Sequence, residues 1–410
     1  MSFFGMSKSS ERYGVLIDVG SGSVLVAIIR SAPAQKHPDI IWAHREHAPL
    51  RNIDSLEQSA KAVMTALVNA SMMLDGEGRK VLFDYDKSAK LTELQCGIAA
   101  PWSYTVTKTI NYKQEKKFVI TEELVDELTR TIQNKIKEDL KEDEMAYNLG
   151  LTVITRANME MLTSGYRIKH PEGGKSDSLT LSHTSVVAQK YVSDAIDEMR
   201  DKLFAGTKSK KLSFMLMLYA VTKELFPETY DLCLVDITYE ASEIGIMRDG
   251  VLTYCTHTPF GYFSLAREIS SITGAPLHEA FGYLHSEAPF SFTKTLNAQK
   301  RKEVENMFEA YVDRIATLFH ETGDTLSIPR RLSLHVDLGS EPVFTELLGK
   351  AVKRTIKAEP NIIPMSKEII SRTYEETTKG SPQTIPNDTA LLLSAMFFHT
   401  QEKTRSFEYF

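Results

Sequence analysis

Short apolar runs that stop on an acidic residue or a glycine set the rhythm of this chain. Val15–Ile17 ends at Asp18, the turn Gly20-Ser21-Gly22-Ser23 follows, and a second β-branched run fills Val24–Ile29. Two such runs joined by a Gly/Ser turn predict a β-hairpin over Tyr13–Ser31. Asp39–Glu46 predicts a third strand of the same sheet. Asp54, with Glu57 as a near capping box, opens a helix on which Leu56, Ala60, Val63, Met64 and Leu67 share one face. Residues 75–92 are polar and carry glycine, which predicts a surface connection.

The pattern then changes. Leu94–Ala99 predicts a strand ending at Ala100-Pro101-Trp102, and Tyr104–Tyr112 alternates apolar and polar residues as a half-buried strand does. Thr121 caps a helix with Glu122 and Glu123 in its first turn, where the helix dipole favours acid. Leu124, Leu128, Ile132 and Ile136 form its buried stripe, and the charge run Lys135–Glu144 its solvated end. Leu151–Thr155 and Ser178–Val187 predict further strands, and Ala188–Phe204 a helix. These elements make a compact α+β module over 94–206.

The opening pattern then repeats. Leu232–Asp236 is an apolar run ending in Asp, and Ser242–Met247 and Val251–His257 are strands joined by Asp249-Gly250, a hairpin signal. This strand–Asp–turn–strand–turn–strand echo of residues 15–44 implies two similar domains with a ligand cleft between them. Gly261 opens a helix over Phe263–Ile272, Pro276 starts another, and Val304–Phe319 carries a long amphipathic pattern. Leu332–Val336 predicts a strand ending in Asp337-Leu338-Gly339-Ser340-Glu341-Pro342. Helices over Val343–Ile356 and Thr389–Phe398 close the chain.

Composition narrows the class. A chain of 410 residues exceeds one small core and predicts two to four subdomains. With 42% apolar and 25% charged residues it is an ordinary globular protein. A net charge of −6 offers no basic field for nucleic acid. Cys96, Cys233 and Cys255, odd in number and far apart, fit reduced thiols of a cytoplasm rather than a disulfide frame or zinc site. No run reaches the ~18 apolar residues of a spanning helix, and MSFFGMSKSSER lacks the apolar core of a signal peptide. Residues 1–10 read as a mobile arm, and the protein as cytoplasmic.

The candidate chemistry sits in the first hairpin. Its glycines let the backbone approach a bound group, successive N–H groups in such a turn can line an anion pocket, and Asp18 can hold a hydrated Mg²⁺. A phosphate-binding hairpin and a plain hairpin whose turn needs glycine both account for the stretch. No GxxxxGK[ST] occurs, and Leu25 stands where a dinucleotide fingerprint needs its third glycine, so P-loop and Rossmann readings fall away. His37, His44 and His47 read as strand-edge imidazoles rather than a metal site, and His278-Glu279 lacks a second histidine four residues after the first. Trp102, Tyr104 and Tyr112 fit core or module surface, with a partner-peptide groove as the alternative. The tail Lys403–Phe410 reads as a frayed terminus, with a membrane contact as its alternative.

Taken in order, the strand ends at Asp18, Asp236 and Asp337 resemble the phosphate 1, phosphate 2 and adenosine segments of the actin-like ATPase superfamily. Within it the chain resembles the FtsA/PilM branch. LQCGIAAPWSYT, ITEELVDELTRTI and LTLSHTSVVA resemble that branch's inserted module. Thr258–Gly261 leading into a helix, with Thr273–Pro276 at its end, also resembles the branch, as does Asp388–His399 as a closing helix that returns to the first lobe. The resemblance implies an α/β, two-lobed, ribonuclease H-like duplicated fold with a small SHS2-like insert. Its implied divisions are 11–93, 94–206, 207–385 and a closing segment at 386–410. It implies ATP held by Asp18, Gly20, Ser21, Gly22, Ser23, Asp236, Thr238, Gly339, Ser340 and Glu341, with Asp18 and Asp236 holding Mg²⁺ through water.

The implied function is a cytoplasmic scaffold, at most a slow ATPase. It would link an inner-membrane machine of pilus assembly or cell division through a short cytoplasmic peptide, with self-association, indirect membrane contact and no nucleic acid. The chain departs from the family where Ile237-Thr238-Tyr239-Glu240 replaces a glycine-rich second loop and Leu338-Gly339-Ser340 keeps one glycine of the usual pair. Those departures suit a rival reading as a nucleotide-free adaptor. A second rival, a small-molecule kinase, needs an acceptor pocket and a base carboxylate that the sequence does not display.

Overall fold

The computed structural model describes residues 11–49, 56–142, 150–168, 170–286, 288–322, 328–337, 341–374, 387–401 and 407–410. The expected arm at 1–10, Asp54, Gly339 and Ser340 lie outside them.

Both predicted hairpins form. Strands β1 (Arg12–Val19) and β2 (Ser23–Ser31) pair antiparallel, with Val19 opposite Val24 across the Gly/Ser turn, and β3 (Asp39–His47) pairs with β2. Nearly every residue of β1 and β2 is buried, which explains why their sequences are continuous apolar runs rather than alternating ones. The helix Leu56–Met73 follows. Residues 75–92 depart from the expected surface connection: a π-turn at Leu74–Gly78 continues into the helix Arg79–Tyr85. Buried Leu74 and Leu82 anchor these turns, so two apolar contacts outweigh the helix-weakening glycines.

Strand β4 (Leu91–Ile98) runs parallel to β1 and belongs to this first sheet. The chain then leaves it as β5 (Ser103–Val119), the helix Glu122–Glu142, β6 (Leu151–Thr163), the short β7 (Tyr166–Arg167) and β8 (Lys175–Gln189). Thr121 caps that helix as predicted, and Val125, Leu128, Ile132 and Ile136 pack its buried stripe on the sheet. After the helix Lys190–Leu203 the chain returns as β9 (Lys208–Ser213), parallel to β4. Two expected boundaries therefore move. Residues 94–98 and 208–213 are hydrogen-bonded into the first sheet, and the inserted sheet spans 103–189.

The duplication is explicit in the second sheet. Strands β10 (Leu232–Ile237), β11 (Ser242–Arg248) and β12 (Val251–Thr258) form an antiparallel meander, while β13 (Arg331–Val336) and β14 (Asn361–Pro364) add in parallel. The first sheet is ordered β3-β2-β1-β4-β9 and the second β12-β11-β10-β13-β14, the same path walked twice. A third sheet comprises β5, β8, β6 and, at its edge, β15 (Phe407–Tyr409), with β7 pairing the far end of β6.

The helix Phe214–Leu225 was not read from the sequence. Ten of its residues are buried because it packs on β4 and β9 of one lobe and on β10 and β11 of the other. An element covered on all sides loses the periodicity that marks an amphipathic helix. The closing helix Thr389–Thr400 packs on β1, β2 and Phe214–Leu225, so the end of the chain returns to the first lobe. None of the described helices is long and apolar enough to cross a membrane.

Candidate functional site: the junction of the two hairpin loops

The turn after β1 and the turn after β10 meet and satisfy each other's polar groups. Ser21 Oγ donates to Thr238 Oγ1 at 2.9 Å, and the Glu240 N–H donates to Ser21 Oγ at 2.8 Å. The Gly20 N–H closes its own turn on Ser23 O at 3.0 Å, and Trp102 Nε1 donates to Gly20 O at 3.0 Å. Ser23 Oγ accepts from Arg45 at 2.7 Å. Arg45 grips Asp388 at the start of the closing helix with two bonds, 2.8 and 2.9 Å.

Tyr239 fills the remaining space. A Cβ on Gly22 would fall 2.3 Å from its ring, so the ring lies against the glycine backbone at the crest of the first turn. Behind it, Tyr239 stacks on Phe263 with ring centroids 4.3 Å apart. The N-terminus of the helix Tyr262–Thr273, a favourable seat for an anion, is taken by loop carbonyls: Tyr262 N donates to Thr238 O and Phe263 N to Tyr239 O.

Beneath the loops lies a buried acidic cluster. Asp18 at the end of β1 is 3% exposed and Asp236 near the end of β10 is fully buried. Asp18 Oδ1 and Asp236 Oδ2 have no hydrogen-bond partner among the described residues. Burial pushes the Asp18 carboxyl up to about 7 against the pull of Arg45, with the charges of Asp337 and Asp388 adding to the rise. Burial also raises Asp337 to about 6 and Glu240 to about 7. Glu243 on β11 is raised well above the carboxylate range by burial and by Asp236.

His335 Nδ1 lies 2.7 Å from Asp236 Oδ1. Burial alone lowers its basicity, yet the hydrogen bond and charge of Asp236, with the charges of Asp337 and Glu341, lift it to about 9. The pair is an imidazolium–carboxylate bridge that partly neutralises the cluster.

Of the predicted site residues, Asp18, Gly20, Ser21, Gly22, Ser23, Asp236 and Thr238 come together at this junction. Glu341 is engaged elsewhere, accepting from the Ser366 hydroxyl and, at 3.3 Å, from its N–H. Sequence reading missed Arg45, His335, Glu243 and Asp388 as members of the cluster. Asp236 had a local signal, since it ends a repeated apolar run, whereas its neighbour His335 lies inside the next one and is brought opposite it only by the parallel pairing of β10 and β13.

The nucleotide that the sequence resemblance implies does not fit this arrangement. The backbone that would meet phosphates is covered by the Tyr239 ring, the N–H of Glu240 is spent on Ser21, and Glu240 brings a carboxyl beside the turn. Among the described residues no cluster of three or more ligating side chains could hold a metal ion.

Two sheets of the same strand order, joined through paired loops and closed by a returning helix, define the actin-like ATPase fold. In particular, the chain is similar to a solved chain of a PilM–PilN type IV pilus biogenesis complex, with a TM-score of 0.57 at 11% identity over 94% of this chain and 98% of that one. It is also similar to the ethanolamine utilization protein EutJ from Carboxydothermus hydrogenoformans, with a TM-score of 0.43 and 11% identity over 96% of this chain and 92% of that one. A Bacteroides thetaiotaomicron protein described as having an actin-like ATPase fold and unknown function gives 0.40 and 11%, over 90% and 95%. No family model matches the chain, and no curated protein matches its sequence.

Proposed function

We propose that this chain is an actin-fold scaffold that docks a partner protein of an inner-membrane machine from the cytoplasmic side, its lobes held together by its own loop side chains in place of ATP. The observation that carries this reading is the Ser21–Thr238–Glu240 contact with Tyr239 seated on Gly22. In an ATP-driven scaffold, lobe closure is biased by ligand contacts that differ between open and closed states. Here the same elements make direct contacts, so closure requires no ligand. A structurally similar chain was solved in a PilM–PilN complex, which makes a PilN-like segment, a short peptide, the partner to test. SHS2-like character of the 103–189 insert, and its use as the docking surface, belong to this reading.

A second reading keeps the nucleotide and rests on the orphan oxygens of Asp18 and Asp236, which an opened form would present to Mg-ATP. Calorimetric titration separates the two. The wild-type chain is expected to give no saturable heat with millimolar Mg-ATP. A Tyr239→Gly, Glu240→Gly variant, with the turn uncovered and one carboxyl removed, is expected to gain measurable binding. Saturable binding by the wild type that disappears in Asp18→Ala would overturn the ligand-free reading and restore the gated one.

A further inference from the structure

The inserted sheet ends on an edge that the chain covers with its own last residues. β15 pairs antiparallel with β6, Phe407 opposite Ala157, Glu408 opposite Arg156 and Tyr409 opposite Thr155, and the Phe410 N–H donates to Ile154 O at 2.9 Å. Phe407 and Tyr409 point the same way, into the first-lobe core, where Phe407 stacks on Phe397 of the closing helix with centroids 6.2 Å apart. On the opposite face the Arg156 guanidinium lies 4.7 Å from the Phe410 ring.

This cover is slight. Among the described residues its ladder spans three positions, whereas β6 and β8 pair over eleven on the other side. The same β6 edge runs on through Asn158–Glu160, as far as Met161 O, which accepts from the Ile168 N–H, along a cavity of about 720 Å³ that also touches Phe407, Glu408 and Lys223. A sheet edge with unpaired backbone groups is a template for any extended chain, and proteins commonly cover such edges. A three-residue strand on a short tether is among the first elements to open, because few contacts must break.

We propose that Phe407–Phe410 is an internal strand ligand of the β6 edge, and that release of this strand admits an extended partner peptide with aromatic residues at alternate positions. The tail itself shows the chemistry the edge takes: two rings on one face for the core, a third on the other for Arg156. This deepens the scaffold reading by naming where its peptide partner binds and what regulates access. It does not depend on whether ATP binds.

The test uses the full chain and a fluorescein-labelled peptide of sequence SFEYF, corresponding to residues 406–410. In Phe407→Asp, Tyr409→Asp the strand is released while the edge is intact, and the peptide is expected to bind. Binding to the wild type is expected to be on the order of 100-fold weaker, because a tethered competitor acts at millimolar effective concentration. An Ala157→Cys, Phe407→Cys variant ties the two facing positions; it is expected to reject the peptide when oxidised and accept it when reduced. Hydrogen exchange on the wild type is expected to show the Glu408 and Phe410 amides, the two that face β6 in this register, opening far faster than those of β8. Equal affinity in wild type and release variant, no binding by a release variant that melts normally, or tail amides as protected as β8 would each overturn the proposal. Any of these leaves the titration with Mg-ATP, and the reading it tests, unaffected.

Discussion

Replacing Gly261 with alanine is expected to cost about 3 kcal/mol or more of stability and to separate the second loop from the helix behind it. The backbone at Gly261 is ordinary, with φ −113°, so conformational freedom is not the issue. The issue is space: an added Cβ would fall 2.2 Å from Thr238 O, 2.5 Å from Tyr239 O and 2.6 Å from Ala241 N. All three are main-chain atoms of the loop, and no rotamer change relieves them. Overpacking into side chains costs about 1–3 kcal/mol, and into fixed backbone more. The clash also pushes on the carbonyls that accept from Tyr262 and Phe263, so the loss of one hydrogen bond at a helix start adds about 1 kcal/mol. Thermal unfolding followed by circular dichroism should show a midpoint lower by roughly 5–10 °C. An unchanged midpoint would mean that the loop moves freely over the helix.

The Asp18→Asn variant is expected to be more stable than the wild type at pH 8 and nearly equal to it at pH 4. The sign follows from the carboxyl at about 7 in the fold, against an ordinary value of 3.8. The folded state therefore holds this proton more tightly than the unfolded chain does. Below pH 4 both states are protonated and the group contributes nothing. Between about 4 and 7 the unfolded chain releases its proton first, so stability falls as pH rises, and above 7 the penalty stays constant. A rise of about 3 units corresponds to roughly 4 kcal/mol at most, and a gain of about 2–4 kcal/mol is expected from asparagine, which keeps the shape and removes the charge.

His335 acts on a neighbouring range. Its value is raised from 6.5 to about 9, so its stabilisation is complete below pH 6.5 and lost as pH rises through 9. Urea unfolding of wild type should thus show stability declining from about pH 4 to pH 9. In Asp18→Asn the lower part of that decline should be shallower by the share of Asp18, with the shares of the raised Asp337, Glu240 and Glu243 remaining. A variant less stable than wild type at pH 8 would show that Asp18 is ionised and paired in the native protein. Stabilisation by removing a charge is the behaviour of a site arranged for function at a cost in stability.

Local pattern made much of this protein legible. The two hairpins, the Thr121 cap, the Asp249-Gly250 turn and the buried stripe of Glu122–Glu142 follow from residue type and periodicity over fewer than about twenty positions. The repeated strand–Asp–turn run announced a duplicated fold, because each copy must present the same apolar faces to its own helices. Asp18 and Asp236 could be singled out because an acid that ends a buried strand is out of place without a task. The almost wholly buried helix Phe214–Leu225 gave no helical period. The place of β4 in the first sheet rests on parallel pairing with distant β1, Gly14 opposite Glu93, and that of β9 on pairing with β4 across the insert.

The sequence by itself determined the strands, their turns, the duplication and the acids at the strand ends, since these depend on neighbours in the chain. Only the tertiary structure decided what those acids face. That Tyr239 lies on Gly22, that Arg45 reaches Asp388 across 343 positions, and that Phe407–Tyr409 covers the β6 edge are long-range packing facts. Glycine in a turn reads alike whether a phosphate or an aromatic ring approaches it. The difference lies in a side chain from the other lobe, which no local pattern encodes.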